Sequence, residues 1–221
     1  MKKLKLSLLC TCFLLGTVFH VQAQNDSDSW KTETRVNLLF GTNQLLLGGF
    51  NIEGNLFYRR FVFDYSHGVS LNIDNEFLDD TNQEYGIDVH IPWTTGFGIG
   101  YRLTEWLNVR AEPKWHRFEL YNMGDEQSAE NRITAYNTFS LGVGAYANFQ
   151  PFKNQDNFLK GIMVAPSIRW WPRVSSSLEN DETSFFSRAL QDEVTHEALE
   201  VGIANTPLII NLSIGYTVPL N

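Results

Sequence analysis

The ionisable residues best placed for chemistry lie two positions apart. Arg110, Glu112, Lys114 and His116 alternate along one segment, and a β-strand directs residues at this spacing to the same face. Side chains of these types can bind a ligand, line a polar path or neutralise one another inside the protein. We expect a mutually neutralising network, because buried charges need partners, and we keep a ligand site or a polar path as the alternative.

Histidine is the natural candidate for a general base or a metal ligand. His90 and His116 are predicted to share this polar face on neighbouring strands, whereas His196 lies in a late polar segment and is expected to be solvated. No third ligand occurs at a suitable spacing, so we predict no metal or cofactor and a hydrogen-bonding role. A His-x-Ser pair would bring base and nucleophile together on one strand face. No serine stands two positions beyond a histidine from residue 67 onward, where the sequence has Val69, Pro92, Phe118 and Ala198.

The elements that must position these residues are β-strands, because apolar residues recur at period two over long stretches. One such run covers residues 87–101, another covers 133–149, and a third covers 210–220. Period-two alternation of this length predicts an all-β protein. We expect eight strands, at 32–41, 47–58, 61–73, 85–102, 106–121, 132–149, 158–173 and 205–219.

The predicted connections are short on one side of the sheet and long on the other. The short turns lie near residues 59–60, 103–105 and 150–157. This asymmetry is typical of barrels in bacterial outer membranes, whose short turns face the periplasm. An even number of strands then places both termini on the periplasmic side. The long, acidic connections are expected at 74–84, 122–131 and 174–204.

Within the last long connection, residues 184–200 are expected to form a short helix. Phe185, Phe186, Leu190 and Val194 would give this helix an apolar stripe.

Residues 1–23 have the features of a secretory signal peptide, so the domain is expected to comprise residues 24–221. Lys2, Lys3 and Lys5 form a basic start, and an apolar stretch leads to Val-Gln-Ala at 21–23. The remaining chain has 14 basic and 25 acidic residues. This acidic balance argues against nucleic acid as a partner.

If the apolar face meets lipid, the opposite face lines a lumen that eight strands leave just wide enough for side chains. Four basic and four acidic residues are then predicted inside, together with His90 and His116, and we expect them to plug the lumen. A soluble barrel with the apolar face inside is the alternative. Tryptophans at the membrane interfaces are expected to be Trp93, Trp106, Trp115 and Trp170. The charged residues of the lumen are Arg35, Arg110, Lys114, Arg169, Glu53, Asp64, Asp88 and Glu112.

The leader ending at Ala23, the eight alternating segments and the last strand, Asn-Leu-Ser-Ile-Gly-Tyr-Thr-Val at 211–218, resemble the small single-domain outer-membrane β-barrel proteins of Gram-negative bacteria. The chain departs from many of them by ending Pro-Leu-Asn rather than on an aromatic residue. Tyr216 is expected to serve the insertion machinery instead. The resemblance implies an eight-stranded antiparallel up-and-down transmembrane β-barrel in the cell outer membrane, with long extracellular loops.

The expected function is that of an integral outer-membrane protein with a plugged polar lumen and a structural, adhesive or surface-interaction role. Its expected partners are outer-membrane lipid and lipopolysaccharide, the insertion machinery, and an extracellular partner bound through loops 74–84, 122–131 and 174–204. A narrow channel or small-ligand-binding barrel is one alternative, and a lipid A-modifying enzyme is another. The resemblance assigns no catalytic residue.

Overall fold

The computed structural model describes residues 28–220, so the predicted signal peptide at 1–23 lies outside the described residues. Short helices are α1 (Thr42–Leu46) and α2 (Asp80–Tyr85), and none of the helices in the described range is long and apolar enough to cross a membrane. The strands are β1 (Thr34–Gly41), β2 (Phe50–Tyr58), β3 (Phe61–Ile73), β4 (Ile87–Arg102), β5 (Leu107–Asn122), β6 (Arg132–Ala147), β7 (Ile162–Trp170), β8 (Arg173–Ser176), β9 (Glu182–Ser187), β10 (Asp192–Glu197) and β11 (Leu208–Pro219).

Eight of the strands form a closed antiparallel sheet. Strands β1 to β7 pair in sequence order, and β11 pairs with both β7 and β1, which completes the circle of hydrogen bonds. The short β8 extends the edge of β6, and β9 and β10 form a separate hairpin. The predicted all-β, up-and-down antiparallel arrangement is confirmed. Each predicted strand overlaps one of the eight strands in the closed sheet.

The predicted helix at 184–200 is wrong, because this segment forms the β9–β10 hairpin. Phe185 is the cross-strand partner of Val194, and Gln191 adopts the left-handed conformation, with φ of 55°, at the connection. Burial alternates with period two along both strands. The apolar residues therefore meet across two strands rather than along one helical face.

The closed sheet turns its apolar side chains outward over most of its height. Phe97, Leu141 and Ile214 are 54%, 50% and 47% exposed, whereas Arg110 and Glu112 are 2% and 1% exposed. The predicted orientation of the two faces is confirmed, and it is the reverse of a soluble barrel with an apolar interior.

At the end of the closed sheet that carries the long connections, here called the long-loop end, this orientation changes. Ser70 has a φ of 58°, and the β4–β5 pairing shifts register between His90 and Thr94. These irregularities turn Leu71, Ile87 and Val89 into the interior. The outward position expected for the start of the 87–101 run is therefore wrong. An apolar core fills this end and comprises Leu71, Leu78, Ile87, Val89, Ile91, Phe118, Leu120, Tyr136, Ala198 and Leu199.

Candidate functional site

The middle of the closed sheet holds a buried cluster of six charged residues, here called the central network. Alternation along β5 aims Arg110, Glu112 and Lys114 inward, and the strand register brings one charge from each of β2, β3 and β7 to the same level. All six members are at most 7% exposed. The central network comprises Arg110, Lys114, Arg169, Glu53, Asp64 and Glu112.

Arg110 connects two carboxylates from other strands. Its Nη1 lies 2.7 Å from Glu53 Oε1 and 3.4 Å from Asp64 Oδ2. The second oxygen of Glu53 lies 3.5 Å from Arg169 Nη2, and Asn55 donates to Glu53 Oε1 at 2.7 Å. Glu53 therefore has two cationic partners and one amide donor, which suits a carboxylate removed from water.

Lys114 connects the remaining carboxylates. Its Nζ lies 3.8 Å from Asp64 Oδ1 and 3.5 Å from Glu112 Oε1, and it donates to Ser66 Oγ at 2.7 Å. Tyr146 and Trp171 both donate to Glu112 Oε2. The central network therefore contains three cationic and three anionic side chains, and its formal net charge is zero.

Two aromatic side chains complete the packing around these charges. The guanidinium carbon of Arg110 lies 3.9 Å from the centre of the Tyr146 ring, and that of Arg169 lies 4.8 Å from it. Lys114 Nζ lies 5.0 Å from the Trp171 ring centre. Cations over aromatic faces gain further stabilisation when desolvated. Tyr146 and Trp171 carry no charge, and the alternation pattern did not predict that they contact the central network.

The predicted lumen residues do not all join the central network. Asp88 and His90 lie on the opposite face from Ile87 and Val89, so their predicted inward position is wrong. Asp88 accepts from the backbone N–H groups of Asn75 and Gly124, both at 2.8 Å. His90 Nδ1 lies 2.7 Å from Asn72 Oδ1. The cause is the same register shift between His90 and Thr94, which exchanges the two faces of β4 in the segment before Thr94.

His116 does lie inside, fully buried, with Nδ1 2.7 Å from Thr94 Oγ1. Its ring centre is 6.3 Å from that of Phe118 and 6.4 Å from that of Trp171. Across residues 28–220, no group of three or more His, Cys, Asp or Glu side chains has the geometry to hold a metal ion. Because Phe118 belongs to the apolar core and Trp171 contacts the central network, His116 lies at the boundary between the two.

Arg35 belongs to a second buried cluster near the short turns. Its Nη1 donates to Gln150 Oε1 at 3.0 Å and lies 3.6 Å from Glu33 Oε1. Arg102, which period-two alternation also places inside, pairs with Glu33 at 3.1 Å and donates to the carbonyl of Trp30 at 2.8 Å. These contacts place the segment before β1 across the short-turn end of the interior.

At the long-loop end, His196 connects the β9–β10 hairpin to two other elements. Its Nδ1 lies 2.9 Å from Asn82 Oδ1 on α2, and its Nε2 lies 3.1 Å from the Tyr136 hydroxyl on β6. Tyr136 also accepts from the backbone N–H of Leu199 at 3.1 Å. Burial lowers the pKa of His196 to about 4, and the charge of Asp79 offsets only part of this effect. The expectation that His196 is solvated is wrong.

The four selected tryptophans differ in exposure but share the outer surface. Trp106 and Trp115 are each 38% exposed and Trp170 is 51% exposed, whereas Trp93 is half-buried. Trp106 stacks on Phe149 beside a short turn, with ring centres 5.6 Å apart. Their assignment to membrane interfaces stays a prediction.

No protein-family model and no curated protein matches the sequence. Among solved structures, the chain is similar to the N-terminal β-barrel domain of OprF from Pseudomonas aeruginosa. The two chains are 11% identical, the match covers 85% of this chain and 98% of that domain, and the TM-score is 0.36. A likeness this distant supports no conclusion about function.

The geometry itself restricts what the interior can do. The central network pairs its own charges, and the apolar core covers it at the long-loop end. An arrangement of this kind cross-links β2, β3, β5 and β7 through the interior.

Proposed function

We propose that this protein is an integral outer-membrane protein, an eight-stranded transmembrane β-barrel with a closed, non-conducting interior. The observation that carries the proposal is the outward apolar face of a closed sheet whose charges are enclosed. Soluble proteins rarely expose contiguous apolar patches larger than a few hundred Å². In a bilayer, backbone groups must be satisfied within the protein, which a closed sheet achieves. Exposed members of this face include Val36, Leu38, Phe63, Phe97, Ile99, Leu141, Val143, Ile168, Ile210 and Ile214.

The closed interior is supported by its layered order. A conducting pore needs a continuous polar path, whereas Phe118, Leu120 and Tyr136 are at most 1% exposed directly above the central network. Below the central network, Arg102 and Glu33 hold the chain segment at Trp30 across the opening. The narrow-channel alternative would require both obstructions to move.

The proposed orientation places the short turns in the periplasm and the long loops outside the cell. The role we propose is structural or surface-interacting, through loops 74–84, 122–131 and 174–204. Packing between these loops supports this role, since Tyr85 contacts Phe185 with ring centres 6.2 Å apart and Arg188 pairs with Asp125 at 3.0 Å. The long-loop end is thus an ordered surface rather than a set of separate loops.

Two measurements test the proposal. The protein should remain in the membrane fraction after extraction at high salt and high pH, and should dissolve only with detergent. Refolded protein in planar bilayers should show no steady open levels. Release without detergent would contradict the membrane location. A reproducible conductance of inserted protein would contradict the closed interior and leave the membrane location intact.

A further inference from the structure

The strand pairing is also interrupted where β6 passes from β7 to β8. Strand β6 pairs with β7 through the segment at 143–146 and with β8 through the segment at 138–140. Between β7 and β8, Trp171 turns inward, where its indole donates to Glu112 Oε2 at 3.0 Å. Pro172 has no backbone N–H to donate, and its carbonyl accepts from Leu141 at 3.2 Å. The outer face of the sheet therefore lacks a side chain at Trp171.

A notch of about 340 Å³ opens at this interruption. This volume is near the lower end of the range for ligand pockets, about 300–1,000 Å³. Gly142 leaves room behind the notch for the chain at 170–171, because a Cβ atom there would lie 2.2 Å from the Trp170 carbonyl oxygen and 2.3 Å from the Trp171 indole. Every residue that lines the notch is apolar: Ala111, Leu141, Gly142, Val143, Trp170 and Pro172.

We propose that the notch is a binding site for one hydrocarbon chain of a membrane lipid. This inference rests on the proposed membrane insertion and adds a defined lipid site to it. The lining offers no hydrogen bond to a headgroup, and the notch lies among Leu141, Val143 and Trp170, which are 50–61% exposed on the apolar outer face. A chain lying in the notch contacts protein on several sides rather than one, so it gains dispersion contacts that a flat apolar wall does not give.

The test is photo-crosslinking of the full chain in phosphatidylcholine and phosphatidylglycerol vesicles that contain a trace of lipid with a diazirine on one acyl chain. Adducts are mapped by mass spectrometry of peptides. We expect adduct yield at 141–143 and 170–172 to exceed that on the opposite wall, at 54–58 and 61–65, by roughly five-fold, which corresponds to about 1 kcal/mol of preference.

Matched variants separate the notch from the general surface. Ala111→Phe fills the notch and should reduce adducts there to the level of the opposite wall, and Ala111→Leu should reduce them partly. Gly54→Phe adds the same ring on β2, where a Cβ meets no atom within 4 Å, and should leave the notch adducts unchanged. Folding of each variant is checked by its β-sheet circular dichroism in vesicles.

The outcomes distinguish this proposal from the proposed function. Uniform adducts around the apolar face of inserted protein would overturn the notch site while leaving membrane insertion intact. Cross-links between two protein chains at the notch would overturn the lipid as its occupant. Protein that gains no adducts and separates from the vesicles in a flotation gradient would overturn membrane insertion, and the lipid site with it.

Discussion

Acidification should loosen the β9–β10 hairpin from the long-loop end through His196. The neutral imidazole accepts a hydrogen bond from Tyr136 at Nε2 and donates from Nδ1 to Asn82. Burial lowers the pKa of His196 from its ordinary 6.5 to about 4, against the smaller opposing effect of Asp79. A protonated ring would carry a proton at Nε2, where Tyr136 already donates.

The sign follows from proton linkage. When the hairpin undocks, His196 regains its ordinary pKa, so the undocked state binds more protons between pH 6.5 and pH 4. The contribution of neutral His196 to the free energy of docking is complete above pH 6.5 and is lost as the pH falls toward 4. At pH 5 the loss is about 2 kcal/mol, which corresponds to a roughly 30-fold fall in the docking equilibrium.

Amide hydrogen exchange at 182–197, corrected for the intrinsic pH dependence of exchange, measures this equilibrium in detergent-solubilised protein. Protection at pH 5 should be roughly 30-fold lower than at pH 8, while amides of β1 and β11 should be unaffected. His196→Gln retains a polar side chain that does not titrate, and should remove the pH dependence over this interval. Equal protection at both pH values, or the same pH dependence in the glutamine variant, would refute the assignment to His196.

Three other measurements address the interior and the catalytic alternative. Arg110→Leu leaves two buried carboxylates short of a partner and should lower the free energy of unfolding in vesicles by about 3–5 kcal/mol. Arg188→Leu, which breaks an exposed ion pair, should change it by less than about 1 kcal/mol, and similar effects of the two would contradict a buried network. Gly142→Ala forces a Cβ atom against backbone and should lower the free energy of unfolding by about 1–3 kcal/mol in the same assay. Gly54→Ala should not show this steric loss. Equal losses in the two variants would contradict the packing at Gly142. Mass spectrometry of lipid A with and without the protein should give the same acyl pattern, and an altered pattern would favour the enzymatic alternative.

Sequence alternation predicted the parts of the fold where each strand keeps its faces. Arg110, Glu112 and Lys114 are inside because β5 is uninterrupted at these positions, so period two alone places them. Their individual partners were not predictable, because the pairing of Arg110 with Glu53 depends on the width and stagger of the closed sheet.

The errors occur where the backbone departs from regular geometry. Asp88 and His90 have the same parity as Gly96 and Gly98. The register shift between His90 and Thr94 nevertheless places the two pairs on opposite faces of the sheet. Period two contains no information about such a shift. In the β9–β10 hairpin, Phe186, Leu190 and Val194 are spaced by four, which suits a helix, while Phe185 and Val194 also suit paired strands. The choice between them depends on the contacts of Phe185 with Tyr85 and of His196 with Tyr136.

The pairing of β1 with β11 has a consequence for biogenesis. Val36 lies opposite Val218, so β1, which pairs with β2 along one edge, has no partner along its other edge until β11 has been synthesised. Any chain released earlier carries two open edges, which invite association with other unfinished chains. Closure of the sheet therefore requires β11, and shielding of the free edge of β1 until then would limit such association.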